Sequence, residues 1–284
     1  MPFATVDGIR TRYEVIGEGP PLLMFSPGGF NATVENWSEF GIYKRLQLPE
    51  HLSAHYTCIA FDKRESGRSG GRIEPLTWRD YAAQGAGLLD ALEIERAHLL
   101  GGCIGCSIAL AFAVEWPERV VSLVLYSPAG GPRYRLTQNA RFAEHLAFVH
   151  EHGVKAVAEL ASSTDETFAQ DPRRGPWVNV LRSDSGRLKR ERYLEATIAT
   201  AMLFDRDTVP GADPGQLLEL ALPALVVPGD DPNHARSAAY YLHECLPQSE
   251  LWDVPPTEQT HENAPARVLD FLQRSESPRS SAAI

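Results

Sequence analysis

Short apolar segments alternate with longer stretches of helical periodicity along most of this chain, and that alternation permits little besides a mostly parallel sheet flanked by helices. Apolar runs predict strands over 11–15, 22–26, 57–62, 97–101, 120–126, 224–227 and 250–254. Helical spacing predicts helices over 77–92, with Thr77 as its cap, 104–115, 235–245 and 265–273. One region breaks the alternation. From 133 to 209 no strand pattern is present, whereas 139–150, 154–161 and 188–204 carry apolar residues at helical spacing. Turn formers bound this region at 128–132 and 210–215, so it reads as a helical insertion, a cap on an α/β core. The expected organisation is a core of 1–132 and 210–274, a helical cap of 133–209 and a small, polar, disordered tail of 275–284.

With 284 residues, 43% of them hydrophobic, the chain can bury one large core with an insertion, or two smaller ones. A formal charge of −10 disfavours nucleic acid phosphates and anionic membrane surfaces as partners. The first residues lack the basic and apolar regions of a signal peptide, and no apolar run approaches the length of a membrane span. The expectation is a cytoplasmic protein with reduced thiols, whose partner is a small-molecule substrate and, at most, a second copy of the chain.

Gly101-Gly102-Cys103-Ile104-Gly105 falls where a predicted strand gives way to a predicted helix. A sharp turn there needs small residues on either side of a residue pushed above the sheet edge, and Gly101 and Gly105 fill those places. The exposed residue is a cysteine. Cys103 is therefore the candidate nucleophile, although Cys103-Ile104-Gly105-Cys106 is also a Cys-x-x-Cys pattern compatible with a redox pair or half a metal site. Cys58 and Cys245 stand alone and complete no zinc site, so no metal and no cofactor are expected. Two further segments complete a nucleophilic site. A predicted strand runs into Pro228-Gly229-Asp230-Asp231-Pro232, placing an acid at its carboxyl end, and Gln259-Thr260-His261-Glu262-Asn263 puts a histidine before the last helix.

In this order the motifs resemble the α/β-hydrolase superfamily, specifically its capped esterase, lactonase, haloperoxidase and carbon–carbon hydrolase branch, over almost the whole chain. Residues 61–69 are similar to that family's Asp-x-Arg-Gly-x-Gly-x-Ser turn, and 26–30 stand where its His-Gly oxyanion loop follows a strand. The cysteine nucleophile resembles that of dienelactone hydrolases, which are smaller and lack a large cap. The resemblance implies a triad of Cys103, Asp231 and His261, with Asp230 and His234 as the rival acid and base. It implies oxyanion donors at the amides of Phe30 and Ile104. Two positions depart from the pattern: Gly28 stands for the usual histidine, and Glu65 for a glycine, where it reads as a surface charge.

A thiolate is a good leaving group, which favours esters, lactones and thioesters over amides. The expected reaction is therefore hydrolysis of such a bond through a thioester acyl-enzyme. An apolar pocket of Gly29, Phe142, Leu146, Trp177, Leu203 and Phe204 would hold a small to medium hydrophobic substrate. Acyl transfer or cyclisation by the same thioester, a non-catalytic ligand receptor, and a Cys103–Cys106 redox pair are the rival readings.

Overall fold

The computed structural model describes residues 1–162, 171–184 and 189–276. Its strands are β1 (Phe3–Val6), β2 (Ile9–Ile16), β3 (Pro21–Phe25), β4 (Thr57–Phe61), β5 (Ala97–Gly102), β6 (Val120–Tyr126), β7 (Ala224–Val227) and β8 (Ser249–Leu251). They form one sheet in the order β1-β2-β4-β3-β5-β6-β7-β8. The pairs β1/β2 and β2/β4 are antiparallel, and every later pair is parallel. β3, β5, β6 and β7 have almost no solvent-facing residues, as expected of parallel strands covered on both faces.

β1 escapes the strand pattern read from the sequence. It is only four residues long and is held by a hairpin turn at Asp7 and Gly8, both at positive φ.

Helices cover the sheet. Before β4 come the short α1 (Asn36–Glu39), α2 (Gly41–Leu46) and α3 (Leu48–Leu52). α4 (Trp78–Ala91) starts at a Thr77–Asp80 capping box, so Thr77 caps it as the sequence predicts. α5 (Gly105–Glu115) runs down from the end of β5 and is buried along nearly its full length.

Among the described residues the segment from β6 to β7 holds no strand. It contains α6 (Pro132–Ala161), α7 (Val178–Asp184), α8 (Arg190–Leu203) and α9 (Pro214–Glu219). α6 breaks at Gly153, whose φ of 79° separates two helical pieces as the sequence pattern anticipates. α10 (Arg236–Cys245) and α11 (Asn263–Glu276) complete the chain. α11 outlasts its predicted end and takes in Ser275 and Glu276, while 277–284, the rest of the expected tail, lie outside the described residues.

The topology decides where a site can form. From β3 the chain crosses to β4 on one side and then to β5 on the other, so the loops leaving β3 and β5 part at the carboxyl edge and open a crevice.

Candidate active site

Cys103 sits at that crevice with φ +55, a left-handed conformation that lifts its side chain clear of the sheet edge. The turn tolerates nothing larger at its flanks. A Cβ on Gly101 would come within 2.6 Å of the Gly105 carbonyl oxygen, and one on Gly105 within 2.0 Å of the Phe25 carbonyl oxygen. The turn is pinned by the Cys103 amide donating to the Tyr126 carbonyl at 3.2 Å. Cys106, one turn along, is fully buried and points its thiol at the Gly101 carbonyl, 3.1 Å away, so it serves the packing of α5 under the turn.

The loop after β7 supplies the groups that face Cys103. One Asp231 carboxylate oxygen accepts the amides of Asn233 and His234, at 2.8 and 3.1 Å, and closes a tight turn. The other lies 2.8 Å from His234 Nδ1. This fixes the proton on Nδ1 and leaves Nε2, which is buried without a well-formed hydrogen bond, facing the Cys103 thiol. Two contacts hold the turn in place: Gly130 donates to the Asn233 carbonyl at 3.0 Å, and the bare Gly229 lets His234 pack against it.

Electrostatics couple the pair. Burial opposes charge on Cys103, but the neighbouring His234 and the backbone amides of Gly28 and Ile104 outweigh it and hold the thiol below its ordinary range. Burial likewise opposes a charged His234, yet the Cys103 thiolate and Asp231 push it up to about 10. The hydrogen bond from His234 holds Asp231 down to about 2. Both shifts favour the thiolate–imidazolium form of the pair over the neutral one.

His261 does not join this group. Its side chain is 62% exposed, beside Glu262 and the ring of His51. The reason is local: Thr260 and Asn263 cap each other's amides at the start of α11, and this turns the two intervening residues outward. The inward residue of that loop is Gln259, fully buried between the Tyr126 hydroxyl and the Val254 carbonyl. The place that faces the Cys103 thiol is taken by His234, three residues after Asp231, so both leave from one loop. Asp230, the rival acid, is exposed.

Two backbone amides reach the Cys103 sulfur: that of Ile104, between β5 and α5, and that of Gly28, in the loop leaving β3, rather than that of Phe30. Gly28 adopts φ +123, and a Cβ there would lie 2.2 Å from Asn36 Nδ2. That amide nitrogen in turn clamps the loop by donating to the Pro27 and Asn31 carbonyls, at 2.7 and 2.8 Å. Phe30 instead places its ring among Phe142 and Phe204, with centroids 5.3 and 6.0 Å away.

The 62–69 turn braces this loop from behind. The Ser66 hydroxyl donates to the Phe30 carbonyl at 2.8 Å, and Asp62 accepts the Val34 and Arg68 amides at 2.9 and 2.7 Å. Glu65 is not a surface charge. It is buried at φ +63, the geometry that explains a glycine in the resembling motif, and its carboxylate pairs with Arg64 at 2.7 Å and lies 3.8 Å from the Lys63 ammonium.

A cavity of about 260 Å³ opens above Cys103, lined by Gly28, Gly29, Phe30, Asn31, Phe40, Tyr134, Gln138, Arg141, Arg174, Phe204, Asn233 and His234. Of the expected apolar lining only Gly29 and Phe204 reach it. Phe142 packs behind Phe30 and Phe204, and Leu203 packs into the cores. Trp177 is fully buried with its indole N–H donating to the Thr197 hydroxyl, and Leu146 is half-buried outside the lining. The pocket is more polar than the sequence implied. Tyr134, Gln138 and Arg141 share one face of α6 at i, i+4 and i+7, a spacing legible in the sequence. His145, on the same helix, is buried with its ring nitrogens bonded to the Arg173 carbonyl and the Tyr193 hydroxyl. Burial pushes it down to about 4, as befits a packed, neutral ring.

A family model described as "alpha/beta hydrolase fold" matches residues 21–258. Among curated relatives, 2-hydroxymuconate semialdehyde hydrolase from Pseudomonas sp. (strain CF600) is 41% identical over 43% of this chain and 41% of its own. The dihydrolipoyllysine-residue acetyltransferase component of the acetoin cleaving system from Cupriavidus necator is 36% identical over 45% of this chain and 32% of its own. The chain thus spans about a third to two fifths of the length of these relatives. In three dimensions it is similar to the enol-lactonase from Burkholderia xenovorans LB400, with TM-score 0.64 and 19% identity over 96% of this chain and 100% of that one. A meta-cleavage product hydrolase from Pseudomonas fluorescens IP01 gives TM-score 0.65 and 18% identity, covering 97% and 98%. At such identities the likeness is one of fold.

Proposed function

The chain belongs to the α/β-hydrolase fold family, and from that premise we propose that it hydrolyses a carboxylic ester, lactone or thioester with Cys103 as nucleophile, His234 as general acid and base, and Asp231 as the residue that orients His234. The observation that supports this most is the meeting of Cys103 with the His234–Asp231 pair beneath two backbone amides. In the first half-reaction the thiolate sulfur bonds to the acyl carbon, and the carbonyl electrons move onto oxygen between the amides of Gly28 and Ile104. As the intermediate collapses, the bond to the leaving oxygen or sulfur breaks and that atom takes the proton from His234.

The second half-reaction runs the other way. In the acyl-enzyme the sulfur carries no charge, so His234 loses the partner that raised it and becomes a neutral base. It takes a proton from water as the water oxygen bonds to the acyl carbon, and the carbon–sulfur bond breaks to restore the thiolate. The helices between β6 and β7 act as a cap that bounds the acyl site.

Intact-protein mass spectrometry with a panel of activated esters, lactones and thioesters tests this reading. The expected result is an acyl adduct that maps to Cys103, turns over in the wild type and accumulates in His234→Ala. An adduct on another residue, or neither adduct nor turnover across the panel, contradicts it.

A further inference from the structure

A second cavity, of about 370 Å³, lies between the strands β2, β4 and β3 and the helices α1 and α3, and it shares no lining residue with the one above Cys103. Its cause is one small side chain. Ala60 of β4 stands in register between Glu14 of β2 and Met24 of β3, and its methyl group leaves a gap in the row that the helices span without filling. The volume falls within the roughly 300–1,000 Å³ of small-molecule sites, whose usual lining is likewise apolar with a few polar groups. One wall is Trp37 of α1, which is 1% exposed. Its indole N–H is buried and has no acceptor among the described residues, a costly state for a donor shut off from water. The benzo edge of the same ring packs on Gly102, where a Cβ would lie 2.9 Å from it. Trp37 also meets Tyr43 edge to face, with centroids 5.2 Å apart. The Tyr43 hydroxyl donates to the Tyr126 carbonyl at 2.9 Å, the same carbonyl that accepts the Cys103 amide. The cavity thus backs onto the turn that carries Cys103.

We propose that this cavity is a second binding site, for a small neutral molecule that is apolar except for one acceptor, a ketone, ester or ether oxygen, which takes the Trp37 N–H. The site does not depend on reading Cys103 as a nucleophile. Met24, Cys58 and Ala60 receive the apolar body of the ligand. Charge selects against ions. Glu14 and Glu50 line the cavity and no lysine, arginine or histidine does, so an anion meets only like charge. A cation gains little, because Glu14 is committed to Arg12 at 2.5 Å and Glu50 is exposed, where water and salt screen it. By position such a molecule is an effector and not a substrate: it rests against the wall behind the Cys103 turn, and the cavity in front of the thiol stays open to another molecule.

The test titrates the full chain with cyclohexanone and with methylenecyclohexane, probes of one shape that differ in the acceptor, and with cyclohexanecarboxylate and cyclohexylammonium as their charged counterparts. Binding is followed by ligand-observed NMR on protein carboxamidomethylated at Cys103, which obstructs the front cavity. The ketone is expected to bind, and both ions to bind more weakly. In Trp37→Phe the ratio of ketone to alkene affinity should fall about threefold or more, as for loss of one neutral hydrogen bond. Ala60→Leu, which fills the gap in the row, should abolish binding of both. The ratio of two affinities is independent of how much of a variant folds, so the Trp37→Phe comparison decides by itself where Ala60→Leu does not fold. No binding of the ketone, a ratio unchanged in Trp37→Phe, tighter binding of either ion, or binding undisturbed in a folded Ala60→Leu overturns the proposal, and none of these results touches the reading of Cys103.

Discussion

Cys103 and His234 hold each other's charge, and this governs what each titration should look like. Because the thiol is held below its ordinary range, its thiolate persists to lower pH than that of a free cysteine and is lost as pH falls through the lowered value. Alkylation of Cys103 by iodoacetamide should therefore be faster at pH 7 than that of an ordinary thiol and rise less steeply with pH up to the usual thiol range. In His234→Ala the imidazolium is gone and burial dominates, so the rate at pH 7 should fall at least tenfold and climb steeply with pH above the ordinary thiol value. Equal pH–rate curves for the two proteins would rule out the ion pair. At this scale the sequence is legible for the strained turn at Cys103, because glycine spacing reports it directly. Which histidine faces that turn is not legible in the same way. His234 and His261 both lie in polar loops, and what separates them is the inward turn made by the Asp231 carboxylate against the outward turn made by the Thr260–Asn263 cap. The polar lining was missed for a related reason: an apolar stripe catches the eye, while Gln138 and Arg141 pass for the solvated face of the same helix.

The loop leaving β3 acts as an element whose shape is set by Gly28 and the Asn36 clamp. Gly28→Ala places a Cβ 2.2 Å from Asn36 Nδ2 at a φ of +123, so the loop must shift and carry its amide away from the oxyanion. Steady-state kinetics should show kcat lowered by roughly a hundredfold or more, the usual effect of losing one oxyanion donor. A variant with wild-type kcat would place the donor elsewhere. Elements of strong periodicity were readable: α4 with its Thr77 cap, α5 below the turn, α10, and the break of α6 at Gly153 lie where the spacing puts them. β1 was not, since its four residues alternate too briefly to register, although the Asp7-Gly8 dipeptide after it is a hairpin signal in its own right. Glu65 misled because a charged residue in a turn reads as surface. Here the turn folds under the oxyanion loop and takes the carboxylate inside with Arg64.

Across the whole molecule, the antiparallel edge of the sheet and the catalytic edge are tied by one buried cation. Arg12 of β2 is almost wholly buried and meets Asp62 at 3.1 Å, Glu14 at 2.5 Å and Glu35 at 2.7 Å. Asp62 in turn holds the start of α1 and the 62–69 turn that braces the oxyanion loop. Arg12→Gln should lower stability by about 3–5 kcal/mol, since it leaves the fully buried Asp62 carboxylate without its cation; urea unfolding checks this, and a loss under 1 kcal/mol would make the tie incidental. The central claim concerns the same edge: the site is assembled from the loops after β3, β5 and β7, with no chemical contribution from the loop after β8. The most direct measurement is kcat/KM of His234→Ala and His261→Ala side by side on whichever ester the wild type turns over. A loss of about a hundredfold or more in His234→Ala, with His261→Ala within twofold of wild type, is the predicted result; a large loss in His261→Ala with activity retained in His234→Ala would contradict it.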